Sequence, residues 1–253
     1  NAQGDVTTNA AVASVAGNIE ATARGKVETN GAVKAGGNVT LLSTDDVVTT
    51  NGTVTAAEGN IEATAKGDVT ANDKLSAEQG AISLTSNAAD VAVNDETTAK
   101  NDVTLKAEAG SVIISETVTS TDENVVVTAE DTVMITADVT ANEDVTLTGT
   151  EVVITPEGAL NAEEGDVSVT AKDDVTTYGI VQAGSTVSLR STDGAITINE
   201  TVTAVAGDIE ITSQDEVETN AAVTAGSNVS LLSTDGAITI NETVTAVAGD
   251  IEV

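Results

Sequence analysis

STDGAITINETVTAVAGDIE occupies residues 191–210 and returns unchanged at 233–252, an offset of 42. A verbatim return over that distance marks a tandem array, in which each repeat buries its apolar face only against its neighbours. Weaker copies halve the period. The pattern [Val/Ile]-x-x-Asn-x-x-Val and its variants start at Val6, Val27, Val48, Val69, Val91, Val112, Val133, Ile154, Val175, Ile196, Val217 and Ile238. Ten of the eleven steps are 21 residues, and the step from Val69 to Val91 is 22, a one-residue insertion in that repeat.

Each repeat resolves into three short segments in which apolar and polar residues alternate, the signature of strands with one buried face. The first is Val6-Thr7-Thr8 and its copies, such as Ile196-Thr197-Ile198. The second begins six residues later, from Val12, Val33 and Val54 to Val223 and Val244, and two residues beyond each start stands only Ala or Ser. The third begins at Ile19, Val39 and Ile61 and continues to Val229 and Ile251; four residues on, the column is small, as in Ala23, Ser43, Ala65, Gly149 and Ser233. Three strands per 21 residues with one column per position predict an all-β fold. Its form is a single-stranded parallel β-helix, a solenoid of about 12 rungs of 21 residues with three short strands each. Residues 1–253 read as one uninterrupted solenoid, uncapped at both ends. A helical solenoid is excluded, because no stretch carries 3.6-residue apolar spacing over ten or more residues.

Composition narrows function. Nine Lys and Arg face 41 Asp and Glu, a formal charge of −32. That field repels a phosphate backbone or an anionic lipid surface, so neither nucleic acid nor membrane is an expected partner. With no Cys and no His, disulfides, thiol nucleophiles, His-based triads and the commonest zinc ligand sets are absent. Tyr178 is the only aromatic residue. At 40% hydrophobic the chain is no disordered acidic tail. No apolar run of 18 residues and no charged-then-apolar leader occurs, so neither membrane insertion nor a signal peptide is expected within these residues.

Asn9, Asn30, Asn51, Asn72, Asn94, Asn199, Asn220 and Asn241 form a column at the corner between the first and second segments. Asn tolerates the left-handed conformation of a sharp corner, and stacked amides form ladders along a β-stack. Ser115, Thr136, Glu157 and Tyr178 break this column, so the middle of the chain is expected to be the least regular. Outward charges alternate with neutral residues: Glu20, Glu62, Glu210 and Glu252 are separated by Thr40, Ser83, Ser188 and Ser230. Because parallel stacking brings copies to about 4.8 Å, this spacing limits repulsion and lengthens the visible repeat to 42. No cofactor is expected beyond loosely bound divalent cations, since neither an EF-hand loop nor a calcium β-roll nonapeptide occurs. An enzyme is not expected. The acidic pairs Asp45-Asp46 and Asp173-Asp174, with Asp193 and Asp235, recur with the repeat as turn residues, and Arg24 and Arg190 are too far apart in the repeat to share one site. An alternative is a surface binding module, adhesive, cation-binding or ice-binding, through exposed carboxylate columns and Thr pairs such as those flanking Val54, Val118, Val202 and Val244.

The run GNIEATARGKVETNGAVKAGGNVTLLS at 17–43, with Gly-Asn leading into Val-x-Leu and Asn-Gly-x-Val at the next corner, resembles the shaft repeats of filamentous-haemagglutinin-like, two-partner-secretion exoproteins. That resemblance covers the whole chain. It implies a right-handed β-helix, an extracellular or bacterial cell-surface location and a role as a stiff adhesin stalk. The expected partner is the protein itself, head to tail. If Asn1 of one copy followed Val253 of another, Val6 would fall eight residues after Ile251, the interior spacing from Ile209 to Val217. Asn1, Val6, Ile251 and Val253 are therefore the expected end-to-end interface of a non-closing filament.

Overall fold

Alternating β-branched and small polar residues favour extended backbone, because Val, Ile and Thr are stiff at χ1 and pack well on a pleated surface. In the computed structural model, which describes residues 2–253, every repeat forms three such strands, as in Val27–Thr29, Val33–Ala35 and Val39–Ser43. Among the described residues the fold is all-β with no helix, a solenoid of about 21 residues per turn in which each strand pairs in parallel with its copies in the neighbouring turns.

The chain gathers into two units, Asn1–Glu130 and Asp131–Val253. In the first, one sheet runs through Val6–Thr8, Val27–Thr29, Val48–Thr50, Val69–Ala71, Val91–Val93 and Val112–Ile114. Two further sheets begin at Val12–Ser14 and Ile19–Ala23, and the three enclose a core where Leu41, Ile61, Leu75, Ile82, Leu84 and Leu105 are fully buried. In the second unit the corresponding sheets begin at Thr132–Ile135, Val139–Ala141 and Val145–Gly149, around Ile135, Leu147, Ile154, Leu160 and Leu189. The small second-sheet column is buried, with Ala35, Ala56, Ala99, Ala162 and Ala183 closed to solvent.

The corners alternate in length. Between the second and third sheets they hold four residues (15–18), three (36–38) and four again (57–60); between the third and first they hold three (24–26), four (44–47) and three (66–68). Third-sheet columns therefore step by 20 and 22, as in Ile19 to Val39 to Ile61. The 42-residue period thus has a second cause beside charge spacing, and the extra residue after Val69 arises where two four-residue corners, 78–81 and 87–90, share one turn.

Between the third and first sheets, the four-residue corners 44–47, 87–90, 192–195 and 234–237 carry a serine at the end of the preceding strand. Ser43 Oγ donates to Gly25 O (2.7 Å) and accepts from Asp46 N–H (3.1 Å); Ser86 does the same with Gly67 O (2.8 Å) and Ala89 N–H (3.0 Å). Ser191 and Ser233 repeat the arrangement with Gly194 N–H (2.9 Å) and Gly236 N–H (3.0 Å). The hydroxyl pins the wider corner and ties it to the preceding turn. Three-residue corners there follow Ala23, Ala65 and Ala171; two corners depart from the rule, the four-residue 108–111 after Ala107 and the three-residue 214–216 after Ser213.

Two expectations are corrected. The first-segment residue of the eighth repeat is Val152 rather than Ile154: Val133 pairs with Val152, and Val152 with Val175. Only Thr150 separates Val145–Gly149 from Glu151–Ile154, and the next corner expands to five residues, 155–159. Two residues have moved from one corner to the next, so the 21-residue count survives while the strand slides. Thr155, whose N–H bonds Ile135 O (2.9 Å), consequently holds the corner place expected for Glu157. The second correction concerns the Asn corners: among the described residues none, glycine included, has a positive φ. Each Asn corner is spread over three residues, so no single residue has to enter the left-handed region.

Candidate functional site: side-chain ladders and terminal rungs

Stacking in register places identical side chains about 4.8 Å apart, within reach of one another. Asparagine uses this distance with both ends of its amide. Nδ2 of Asn30 donates to Oδ1 of Asn9 (3.0 Å), Asn51 to Asn30 (2.8 Å), Asn72 to Asn51 (2.8 Å) and Asn94 to Asn72 (2.9 Å). In the second unit Asn220 donates to Asn199 (3.0 Å) and Asn241 to Asn220 (2.7 Å). All eight residues of the expected column thus belong to ladders. Glu28 and Glu218 add weak contacts to Asn51 (3.4 Å) and Asn241 (3.3 Å).

Two more ladders lie at the other corners. The residue before a third-sheet strand accepts the backbone N–H of its copy one turn on: Asn38 N–H reaches Asn18 Oδ1 and Asn60 N–H reaches Asn38 Oδ1, both at 2.9 Å. Asp166 to Asp144, Thr186 to Asp166 and Asn228 to Asp208, all 2.8 Å, repeat this in the second unit. Before first-sheet strands Asp90 accepts from Ser111 N–H and Asp174 from Ala195 N–H, both at 2.8 Å. Glycine makes room for these acceptors: a Cβ on Gly37 would lie 2.2 Å from Asn18 Oδ1, and one on Gly165 2.3 Å from Asp144 Oδ1. The Gly-Asn pairs visible in the sequence have this physical reason: the glycine clears space for the neighbouring turn.

Charged side chains at strand centres stand between neutral partners. Glu62 pairs with Thr40 and Ser83, Glu210 with Ser188 and Ser230, and Lys106 with Thr85 and Thr128. Ion pairs link Arg24 to Asp45 (2.7 Å), Lys74 to Glu96 (2.7 Å) and Lys106 to Glu108 (2.8 Å). Hydrogen bonding to Arg24 lowers the Asp45 pKa, and hydrogen bonding to Lys74 lowers that of Glu96. Asp208 is held low chiefly by the Asn228 backbone N–H. Asp174 and Asp235 are likewise engaged in corners, Asp235 with Gln214 Nε2 (3.1 Å). Among the described residues no group of three or more His, Cys, Asp or Glu is spaced to hold a metal ion, and no helix is long and apolar enough to cross a membrane.

Of the expected end residues, Asn1 lies outside the described residues. Val6 pairs with Val27 and is half-buried, whereas Val27 is closed to solvent. Val6, Val12, Ile19 and Leu41 line an open recess of about 170 Å³ on the first turn. On the last, Ile251 pairs with Val229 yet remains 48% exposed, and Val253 is 66% exposed. No family model matches this chain, and no curated protein or solved structure does either.

Proposed function

We propose that this chain is a structural unit of a stiff, acidic, extracellular fibre, of the kind that bacterial adhesin stalks exemplify, and that it is a shaft and not a catalyst. The observation that carries this reading is continuity. In each unit the chain adds turn upon turn in parallel pairing, kept even where the strand slides at Val152, and three side-chain ladders run along the stack in addition to the backbone bonds. Its conspicuous side-chain chemistry joins one turn to the next. Such a stack gains stiffness because each turn is hydrogen-bonded to its neighbours along the axis.

The half-covered apolar columns of the terminal turns fit a further rung, supplied by continuation of the same polypeptide or by another copy. Stacking of copies is heterologous and generates filaments. Electron microscopy of the purified chain tests this. Filaments of uniform width support stacking through Val6, Ile251 and Val253, and their shortening after Ile251→Asp would assign the contact. Separate particles at high concentration would refute self-stacking.

A further inference from the structure

The most irregular corner of the second unit is also its most differentiated surface. Thr155–Gly158 closes a β-turn through Gly158 N–H to Thr155 O (3.0 Å), with Pro156, the only proline of the chain, at the position where its fixed φ is favoured. The next turn fits beneath it only because residue 179 is glycine: a Cβ there would sit 1.7 Å from Gly158 O. Beside the turn stand Tyr178, 48% exposed, and Ile180, 46% exposed. Together they line a recess of about 480 Å³ rimmed by three carboxylates, Asp138, Glu157 and Glu200. No Lys or Arg lines it. The unit's two cations, Lys172 and Arg190, belong to the third sheet and its following corner.

We propose that this recess binds a cationic side chain, arginine above all, presented by a partner polypeptide. A guanidinium plane stacks on an aromatic face and keeps its edge donors free for carboxylates. Tyr178 offers such a face in the same recess as the three carboxylates, and Ile180 and Pro156 offer apolar surface for the side-chain stem. Complementarity extends outward, because residues 131–253 carry two cations against 22 carboxylates. An asparagine column gives way here to a tyrosine and a proline turn, at the expense of the regular register.

Tyr178 is the sole fluorophore, so its emission reports on this recess alone. The test titrates the whole chain with acetyl-Gly-Arg-Gly-amide and with its uncharged citrulline analogue at physiological salt. Saturable change with the arginine peptide and none with citrulline is expected. Glu157→Gln with Glu200→Gln weakens that binding about tenfold, whereas the charge-matched Glu210→Gln with Glu252→Gln leaves it unchanged. In Tyr178→Leu the Ile180 methyl resonance, followed by NMR, no longer responds. Unsaturable quenching, or equal loss in both double variants, would reduce the effect to diffuse electrostatics and overturn the assignment. Equal binding of free guanidinium ion would make the occupant a small cation. Emission that changes with protein concentration alone would make it another copy of this chain.

Discussion

At the scale of the residue, the interior contains polar atoms that form no bond. Thr29, Thr50, Thr177 and Thr219 are at most 3% exposed, and their hydroxyls have no hydrogen-bond partner. Thr177 pairs with Ile154 and Ile198, so a branched apolar side chain fits the same column. An unpaired buried hydroxyl costs about 1–3 kcal/mol, and Thr177→Val should therefore raise stability by about 1 kcal/mol in urea unfolding; a loss of stability would show that the hydroxyl has a partner. Asp208 allows a second test. Its folded pKa lies below the ordinary carboxylate value, so its contribution is fully present above the unfolded pKa and is lost as pH falls through the folded one. Asn228 shows that an amide fills the same role, accepting from Asp250 N–H at 2.9 Å. The stability gap between the parent chain and Asp208→Asn should close on acidification from about pH 5 to pH 2, through the ordinary Asp pKa of about 3.9. A gap that stays constant over that range would contradict it.

Corners and strands obey rules that a single residue does not reveal. Removing the Ser86 hydroxyl leaves Gly67 C=O and Ala89 N–H without their bonds, and Ser86→Ala should cost about 1–3 kcal/mol by denaturant unfolding. No loss would mean that the serine merely occupies the wider corner. Charge spacing predicts another outcome. Thr40→Glu would set three carboxylates in successive turns, with Glu20 and Glu62 as neighbours. It should destabilise by about 0.5–1 kcal/mol relative to Thr40→Gln, and about 0.5 M NaCl should remove most of the difference. Equal stability at low salt would refute the spacing rule. Most of this architecture is legible in the sequence, because a period-two pattern repeated every 21 residues leaves few ways to bury the apolar face. The starts of the third strands, Ile19 to Ile251, are readable to the residue. The sequence points to Ile154 because Val152, Val153 and Ile154 all suit a buried strand, and only the one-residue corner at Thr150 decides the register. The alternating corners were visible as 20- and 22-residue steps, but their serine bonds required coordinates.

On the scale of the whole molecule, the proposed stacking of copies is opposed by the chain's own charge. The first unit carries seven cations against 19 carboxylates and all five ion pairs found among the described residues; the second carries two against 22. A field of this sign keeps copies apart in solution, and association along the columns has to overcome it. Hydrogen exchange on a tandem fusion of two copies, Val253 joined directly to Asn1, tests the central claim most directly, because the junction then supplies the further rung to both terminal turns. Ile238, Val244 and Ile251 of the first copy, whose N–H groups take the place of those of Val217, Val223 and Val229 that donate to the following turn, should become as protected as those interior residues, while the same residues at the outer end continue to exchange quickly. Unchanged rapid exchange at the junction would show that the turns do not continue one another, and would contradict the role as a shaft.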